Sequence, residues 1–269
     1  FTSYQNPYET FQTNVLGTLN LIDLIKDDYF SAKERIIIVV TTDKVYKDSG
    51  LNKAYIESDQ LGGFDPYSSS KAAVELLSSS YFSSFYKKSE HLKIASARAG
   101  NVIGGGDNSE FRIVPDVINA MLDCKDIHLR MPNAVRPWQH VLEPLYGYIR
   151  LAYTLLKTKN NSYTAYPAYN FGPDEKDFLS VKSLANLMID VWSSKSKIIE
   201  TESTFHETNH LTLSSLKAAE DLNWYPLWNS KTSIIKTVDW YKHFYCHNES
   251  AVNLIEKDID SYLNDLREL

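Results

Sequence analysis

Tyr67 and Lys71 stand four residues apart in Tyr67-Ser68-Ser69-Ser70-Lys71. On a helix that spacing puts both side chains on one face, about 6 Å from each other. A tyrosine hydroxyl is a poor base at neutral pH, because its ordinary pKa is about 10. A neighbouring ammonium stabilises the phenolate and lowers that value. Such a pair can take a proton from an alcohol while hydride leaves the same carbon. Alone the spacing is weak evidence, since a tyrosine at a helix start and a solvated lysine produce it equally well.

Its surroundings strengthen it. Asp65-Pro66 directly before the pair is a helix-start signal. Upstream, residues 35–42 form a short, apolar, β-branched run, the pattern of a parallel strand buried on both faces. That strand leads into Thr41-Thr42-Asp43-Lys44, and open α/β sheets receive their ligands at the carboxyl ends of strands. Taken alone, Asp43 and Lys44 fit an ordinary solvated loop equally well.

The elements that must position these residues follow from periodicity. Phe11, Val15, Leu19 and Ile22 mark a helix over 8–27, and a second helix is expected over 67–87. Further helices are expected over 113–123, 143–157, 180–192, 212–222, 231–245 and 250–267. Strands are expected over 92–98, 127–130, 136–141 and 168–171, and a turn at Gly104-Gly105-Gly106-Asp107. Strands alternating with helices imply an α/β fold with a parallel sheet. Beyond about residue 100 the alternation loses its regularity. Residues 1–110 are therefore read as one domain, and 111–269 as mainly a smaller, interwoven lobe with some segments returning to the first.

The 269 residues are 43% apolar and 23% charged, with a formal net charge of −6. No Lys/Arg run stands out, which argues against nucleic acid as a partner. No stretch approaches the ~20 apolar residues of a membrane helix. Cys124 and Cys246 have neither metal-type nor disulfide-type spacing, which fits a reduced, cytoplasmic compartment, and no metal is expected. The chain opens on Phe1-Thr2-Ser3-Tyr4, without Met or a signal-peptide pattern. A preceding segment is therefore expected.

Together these residues resemble the extended short-chain dehydrogenase/reductase family. The resemblance rests on the strand ending in Thr-Thr-Asp-Lys, on Asp65 through Lys71, on Pro7 through Thr18 around Asn14, and on Ala97 through Asp107. Within the family the chain looks most like the CDP-glucose 4,6-dehydratases, by Gly62 through Tyr67, Ala99 through Asp107 and Arg136 through Leu145. The resemblance runs from Pro7 to about Tyr245.

The resemblance implies a Rossmann-like sheet, NAD as a tightly held cofactor and a nucleotide sugar, CDP-glucose, as substrate. It implies that Tyr67 is the base, that Lys71 tunes Tyr67 and holds the nicotinamide ribose, that Thr42 binds the C4 oxygen and that Asp43 protonates the leaving C6 hydroxyl. Lys44 is either a base, which needs a lowered pKa, or an electrostatic stabiliser. Asn14, Thr41 and Ala99 join Tyr67 and Lys71 around the cofactor. Arg136 is the first candidate for the diphosphate, because a guanidinium grips phosphate oxygens in a bidentate way. Asn101 and Arg112 follow, and His140 either bonds the nucleotide or packs. A homodimer is expected through helices 8–27 and 67–87, on Leu21, Leu24 and Ile25 of the first and Leu77, Tyr81 and Phe85 of the second. No Gly-rich turn follows a strand near the start, so the N-terminal strands of the cofactor domain are expected to be missing and the chain to bind NAD weakly. Two alternatives are a nucleotide-sugar 4-epimerase, against which the charges of Asp43 and Lys44 speak, and a catalytically inert scaffold.

Overall fold

The computed structural model describes residues 2–26, 34–48, 50, 53–89, 91–158, 165–201 and 211–268. Residue 27, the expected end of the first helix, lies outside them, as do 49, 51 and 52 of the loop that follows the first strand.

Helices α1 (Thr2–Gln5), α2 (Pro7–Phe11) and α3 (Gly17–Lys26) open the chain, with a wide i→i+5 turn over Gln12–Leu16. Strand β1 (Arg35–Val40) runs into a single 3-10 turn, Asp43–Val45. Helix α4 (Pro66–Tyr81) also ends in a wide turn, Phe82–Tyr86. Then come β2 (Leu92–Ala99), β3 (Val102–Ile103), α5 (Ile113–Leu122), β4 (Ile127–Leu129), β5 (Val135–Arg136), β6 (Gln139–His140) and α6 (Leu142–Lys157). β7 (Ala168–Phe171), β8 (Leu179–Ser180), α7 (Val181–Trp192), β9 (Ile198–Glu200), α8 (Leu216–Leu222), α9 (Ser230–His247) and α10 (Ala251–Arg267) complete it.

The departures from expectation have local causes. The helix expected over 8–27 is interrupted by the wide turn, which inserts one extra residue into the helical path and contains Asn14. β1 stops at Val40, not at residue 42. Thr41 N still donates to Ala97 O at 2.8 Å, but the Thr42 side chain accepts from Lys44 N and starts the 3-10 turn. The strand expected over 136–141 splits around Pro137 into β5 and β6, since proline has no N–H for a ladder. Helix α8 starts at Leu216 and not at 212, because Leu213 bridges to Tyr55 and Ser214 N donates to Tyr55 O at 2.9 Å.

Two compact units result. The first consists of Phe1–Ala99, Tyr146–Phe171 and Leu213–Tyr225, the second of Gly100–Leu145, Gly172–Thr212 and Pro226–Leu269. In the first, a parallel sheet has the order β1-β2-β7, with Ile37 opposite Ile94 and Ala97 opposite Tyr169. Side chains alternate between its faces. Ile37, Val39, Leu92 and Ile94 pack with Ile22, Val74, Phe82 and Tyr86 on one face. Ile36, Ile38, Ala95 and Ala97 pack with Leu151, Leu155, Phe171 and Trp224 on the other. β2 is buried throughout, whereas β1 is mostly half-buried and Val40 is 46% exposed. β1 therefore corrects the expectation of full burial: both faces are covered, but among the described residues it has a ladder partner on one side only.

Among the described residues the second unit has three small strand pairs, β3 with β6, β4 with β9 and antiparallel β5 with β8. Its core gathers Val117, Ile118 and Met121 of α5, Leu184 and Met188 of α7, Ile234, Val238 and Trp240 of α9, and Leu254 of α10. Cys124 and Cys246 are free and exposed. Among the described residues no helix is long and apolar enough to cross a membrane.

Of the six residues expected to face a second copy, Leu21, Leu24 and Phe85 are exposed. Ile25, Leu77 and Tyr81 are half-buried and pack in part against the core of their own chain.

Candidate active site

Helix α4 begins under tight local control. The Asp65 carboxylate accepts from Tyr67 N at 3.0 Å, from Ser68 N at 3.1 Å and from the Ser68 hydroxyl. Pro66 occupies the first turn, where its missing N–H costs nothing. Gly63 lies so close that a Cβ there would meet Ser68 C and Ser69 N at 2.3 Å, so only glycine fits. Ser69 Oγ donates to Gly63 O at 2.7 Å. These contacts fix where Tyr67 leaves the helix.

One turn on, Lys71 Nζ donates to Val40 O at 3.2 Å. Burial lowers the Lys71 pKa from its ordinary value. The ammonium is thereby held at the carboxyl end of β1, next to Thr41 and Thr42. Asn14 supports the same helix from behind. Its Nδ2 donates to Ser70 Oγ at 2.9 Å, and Ser70 Oγ donates to Tyr67 O at 2.7 Å. Asp43 and Thr42 are buried, with Thr42 Oγ1 donating to Asp43 Oδ1 at 2.9 Å, while Lys44 is exposed. Ala99, the last residue of β2, is buried. The first unit thus brings a tyrosine-bearing helix start, a lysine, a threonine and two further charges to one end of a parallel sheet.

The second unit holds the other residues expected from sequence. Asn101 O accepts from Gln139 N at 3.0 Å, beside β6. Arg136 is buried and donates to its own Val135 O at 2.8 Å. Arg112 is the N-cap of α5, largely exposed, with Asp107 3.9 Å away. His140 is fully buried, its ring edge-on to Trp228 at 5.0 Å and its Nε2 3.8 Å from Asp258. Burial pushes its pKa down to about 4. Gly105 packs so tightly under the Trp240 ring that a Cβ would lie 2.0 Å from it.

Sequence reasoning passed over four buried polar residues of the first unit. Arg98 and Glu75 form a bidentate pair, Nε to Oε1 at 2.8 Å and NH2 to Oε2 at 3.0 Å. Tyr46 accepts from Arg98 NH1 at 2.8 Å and donates to Asn170 Oδ1 at 2.6 Å. A signal was present for two of them: Glu75 extends the Tyr67–Lys71 face by one more turn, and Arg98 is a charge near the end of a strand of mostly small and apolar residues.

Comparison with known proteins follows the same lines. The model of the GDP-mannose 4,6 dehydratase family matches residues 1–237. The chain belongs to that family. This family member is 33% identical, over 97% of its length, to the CDP-glucose 4,6-dehydratase of Salmonella typhimurium, of which it covers 72%. It is 27% identical to the dTDP-glucose 4,6-dehydratase of Streptomyces antibioticus, over 89% of this chain and 66% of that one. Among solved structures, DesIV, the dTDP-glucose 4,6-dehydratase of Streptomyces venezuelae with NAD and TYD bound, superposes with a TM-score of 0.74 at 21% identity. That superposition covers 90% of this chain and 69% of DesIV. A UDP-galactose 4-epimerase superposes with a TM-score of 0.72 at 17% identity, over 89% of this chain and 72% of that one. Dehydratases and epimerases thus share the Rossmann-type fold of this 4,6 dehydratase family member, an extended short-chain dehydrogenase/reductase.

Proposed function

We propose that the protein is a cytoplasmic enzyme that removes water from CDP-glucose, giving the 4-keto-6-deoxy sugar, with NAD as cofactor. The observation that carries this reading is the set Thr42, Asp43, Lys44, Tyr67 and Lys71 at one end of the sheet, in a chain 33% identical to a CDP-glucose 4,6-dehydratase. The residues present suit the nicotinamide half of the cofactor. The Lys71 ammonium at the Val40 carbonyl is a donor at the carboxyl end of a parallel strand, where such sheets take dinucleotides. Tyr67, Lys71 and Ala99 would hold the nicotinamide half, with Asn14 and Thr41 supporting them. When bound there, NAD would supply the acceptor for the C4 hydride and the source of the hydride returned to C6.

Tyr67 accepts the C4 hydroxyl proton, and Thr42 hydrogen-bonds the C4 oxygen. The C4 ketone acidifies the C5 proton. Asp43 gives a proton to the C6 hydroxyl, which leaves as water. Lys44 serves the C5 step, as a neutral amine that takes the C5 proton and returns it to C5 when hydride reaches C6, or as a cation that steadies the enolate while water carries that proton. In the second unit Arg136 is assigned to the diphosphate, with Asn101 and Arg112 next, and His140 packs. A homodimer through α3 and α4 belongs to the same reading, supported by exposed Leu21, Leu24 and Phe85.

The test is to incubate protein expressed from its own coding region with CDP-glucose and NAD, then add alkali. A 4-keto-6-deoxy product develops absorbance near the edge of the visible. A C4 epimer seen by NMR, with no chromophore, would replace dehydration by epimerisation. Faster turnover of a dTDP- or GDP-sugar would replace the CDP assignment.

A further inference from the structure

We propose that Glu75 and Arg98, extended by Tyr46, are the positioning residues that lock helix α4 to the strand-end turn, and so set Tyr67 and Lys71 against Thr42, Asp43 and Lys44. The proposal rests on the reading of those five residues as the reacting group. Both charges are deep, with side chains 4% exposed for Arg98 and 1% for Glu75. The carboxylate of Glu75, one turn beyond Lys71, receives the Arg98 fork and also the Thr41 hydroxyl at 2.6 Å. The third arm of the guanidinium, NH1, donates to Tyr46 OH at 2.8 Å and to Glu57 O at 3.2 Å. Thr41 immediately precedes Thr42, and Tyr46 follows Lys44 by two residues. One guanidinium and one carboxylate therefore grip the chain on both sides of Thr42–Lys44 and attach it to the helix of Tyr67.

The far side of the grip is equally built. Tyr46 OH donates to Asn170 Oδ1 at 2.6 Å, and Asn170 Nδ2 donates to Tyr55 O at 3.0 Å and Ser214 O at 3.2 Å. The Tyr46 ring stacks on Tyr55 with centroids 4.9 Å apart. A buried ion pair adds little net stability, because desolvating both charges costs nearly as much as their attraction returns. A bidentate fork supplies direction instead. It fixes the rotation and height of α4 over the sheet, which close packing of apolar side chains leaves looser.

The double variant Glu75→Leu/Arg98→Met separates direction from stability, since an apolar pair of similar volume removes both charges together. It is expected to melt within a few degrees of the parent. Its kcat for the nucleotide sugar should fall about 10- to 100-fold with KM little changed, the size of effect that a small misplacement of reacting groups produces. In isotope-labelled protein the Lys71 ammonium should titrate closer to an ordinary lysine, because a looser α4 lets water reach it and relieves the burial that lowers its pKa. A folded double variant that keeps both the parent kcat and the parent Lys71 titration would overturn the proposal. If the double variant does not fold, Tyr46→Phe tests the same link, deleting one oxygen and keeping the stacked ring. It should lower kcat and shift Lys71 in the same sense, and no change in either overturns the proposal. A parent protein that dehydrates no nucleotide sugar would sink the functional reading, while the Lys71 titration still decides the positioning role.

Discussion

Tyr67 and Asp43 carry the proton transfers at the C4 and C6 oxygens in the proposed reaction, and their surroundings suit different tests. Tyr67→Phe keeps the ring at the start of α4 and deletes only the hydroxyl. Turnover should fall about 100-fold or more, with nucleotide-sugar binding retained in a calorimetric titration. A variant that keeps a tenth of the parent rate would remove Tyr67 from the role of base. Asp43→Asn keeps the shape beside Thr42 but has no acid proton to give. A 4-keto sugar that retains its C6 hydroxyl should then build up, as read by mass spectrometry. Equal loss of both steps would assign Asp43 elsewhere. These residues were legible in the sequence because their relations are local: a helix spacing for Tyr67 and Lys71, a strand end for Thr42 through Lys44. Arg98 and Glu75 were not, because their meeting depends on α4 lying over β2, with partners 23 residues apart in the chain. No periodicity records that.

Among the elements, α4 depends most on its first turn. Asp65→Ala removes a carboxylate that caps two backbone amides, a loss of about 1 kcal/mol. Gly63→Ala should cost more, roughly 1–3 kcal/mol, because the new methyl meets backbone and not a side chain that can swing away. Chemical denaturation of the two variants checks the order, and Gly63→Ala the milder of the two would show that the turn yields. Apart from α1, which was not anticipated, and the break of the first expected helix into α2 and α3, the helices were read from sequence to within a few residues, since most carry two or more turns of apolar repeat. The strand pairs of the second unit were read less well. β3, β5, β6 and β8 are two residues long, too short to show an alternation, and β3, β8 and β9 were not anticipated at all.

For the molecule as a whole, self-association and pH response are the measurable properties. Leu21 and Leu24 are 64% and 59% exposed on α3, and Phe85 is 50% exposed just beyond α4. Replacing Leu21 and Leu24 by Glu should convert a dimer to a monomer in light scattering at micromolar concentration. A parent protein that is already monomeric refutes the dimer. The second unit carries a titration of its own. Glu143 accepts from Leu227 N at 3.0 Å, Trp228 N at 2.7 Å and Tyr262 OH at 3.0 Å. Burial outweighs these donors and pushes its pKa from 4.5 to about 7. The unfolded chain therefore releases this proton first as pH rises, and the folded state loses stability between about pH 4.5 and 7. Buried His140 acts in the opposite sense, losing stability as pH falls from 6.5 toward about 4. Glu143→Gln removes the first contribution and leaves the second. The drop in melting temperature between about pH 5 and pH 7.5 should shrink in the variant, and an equal drop in both proteins would show that Glu143 is ionised throughout.

The partners of Glu143 bear on protein engineering. Tyr262 reaches Glu143 and Asp265 accepts from Trp228 Nε1 at 2.7 Å, both from α10. The last helix is thus keyed by polar contacts to Glu143, 119 positions before Tyr262, and to Trp228, 37 positions before Asp265. A chimera that exchanges only the final twenty or so residues with those of another homologue would bury a carboxylate and an indole without their complements. Recombination breakpoints in this region should fall where 143, 228, 262 and 265 travel as one inherited block.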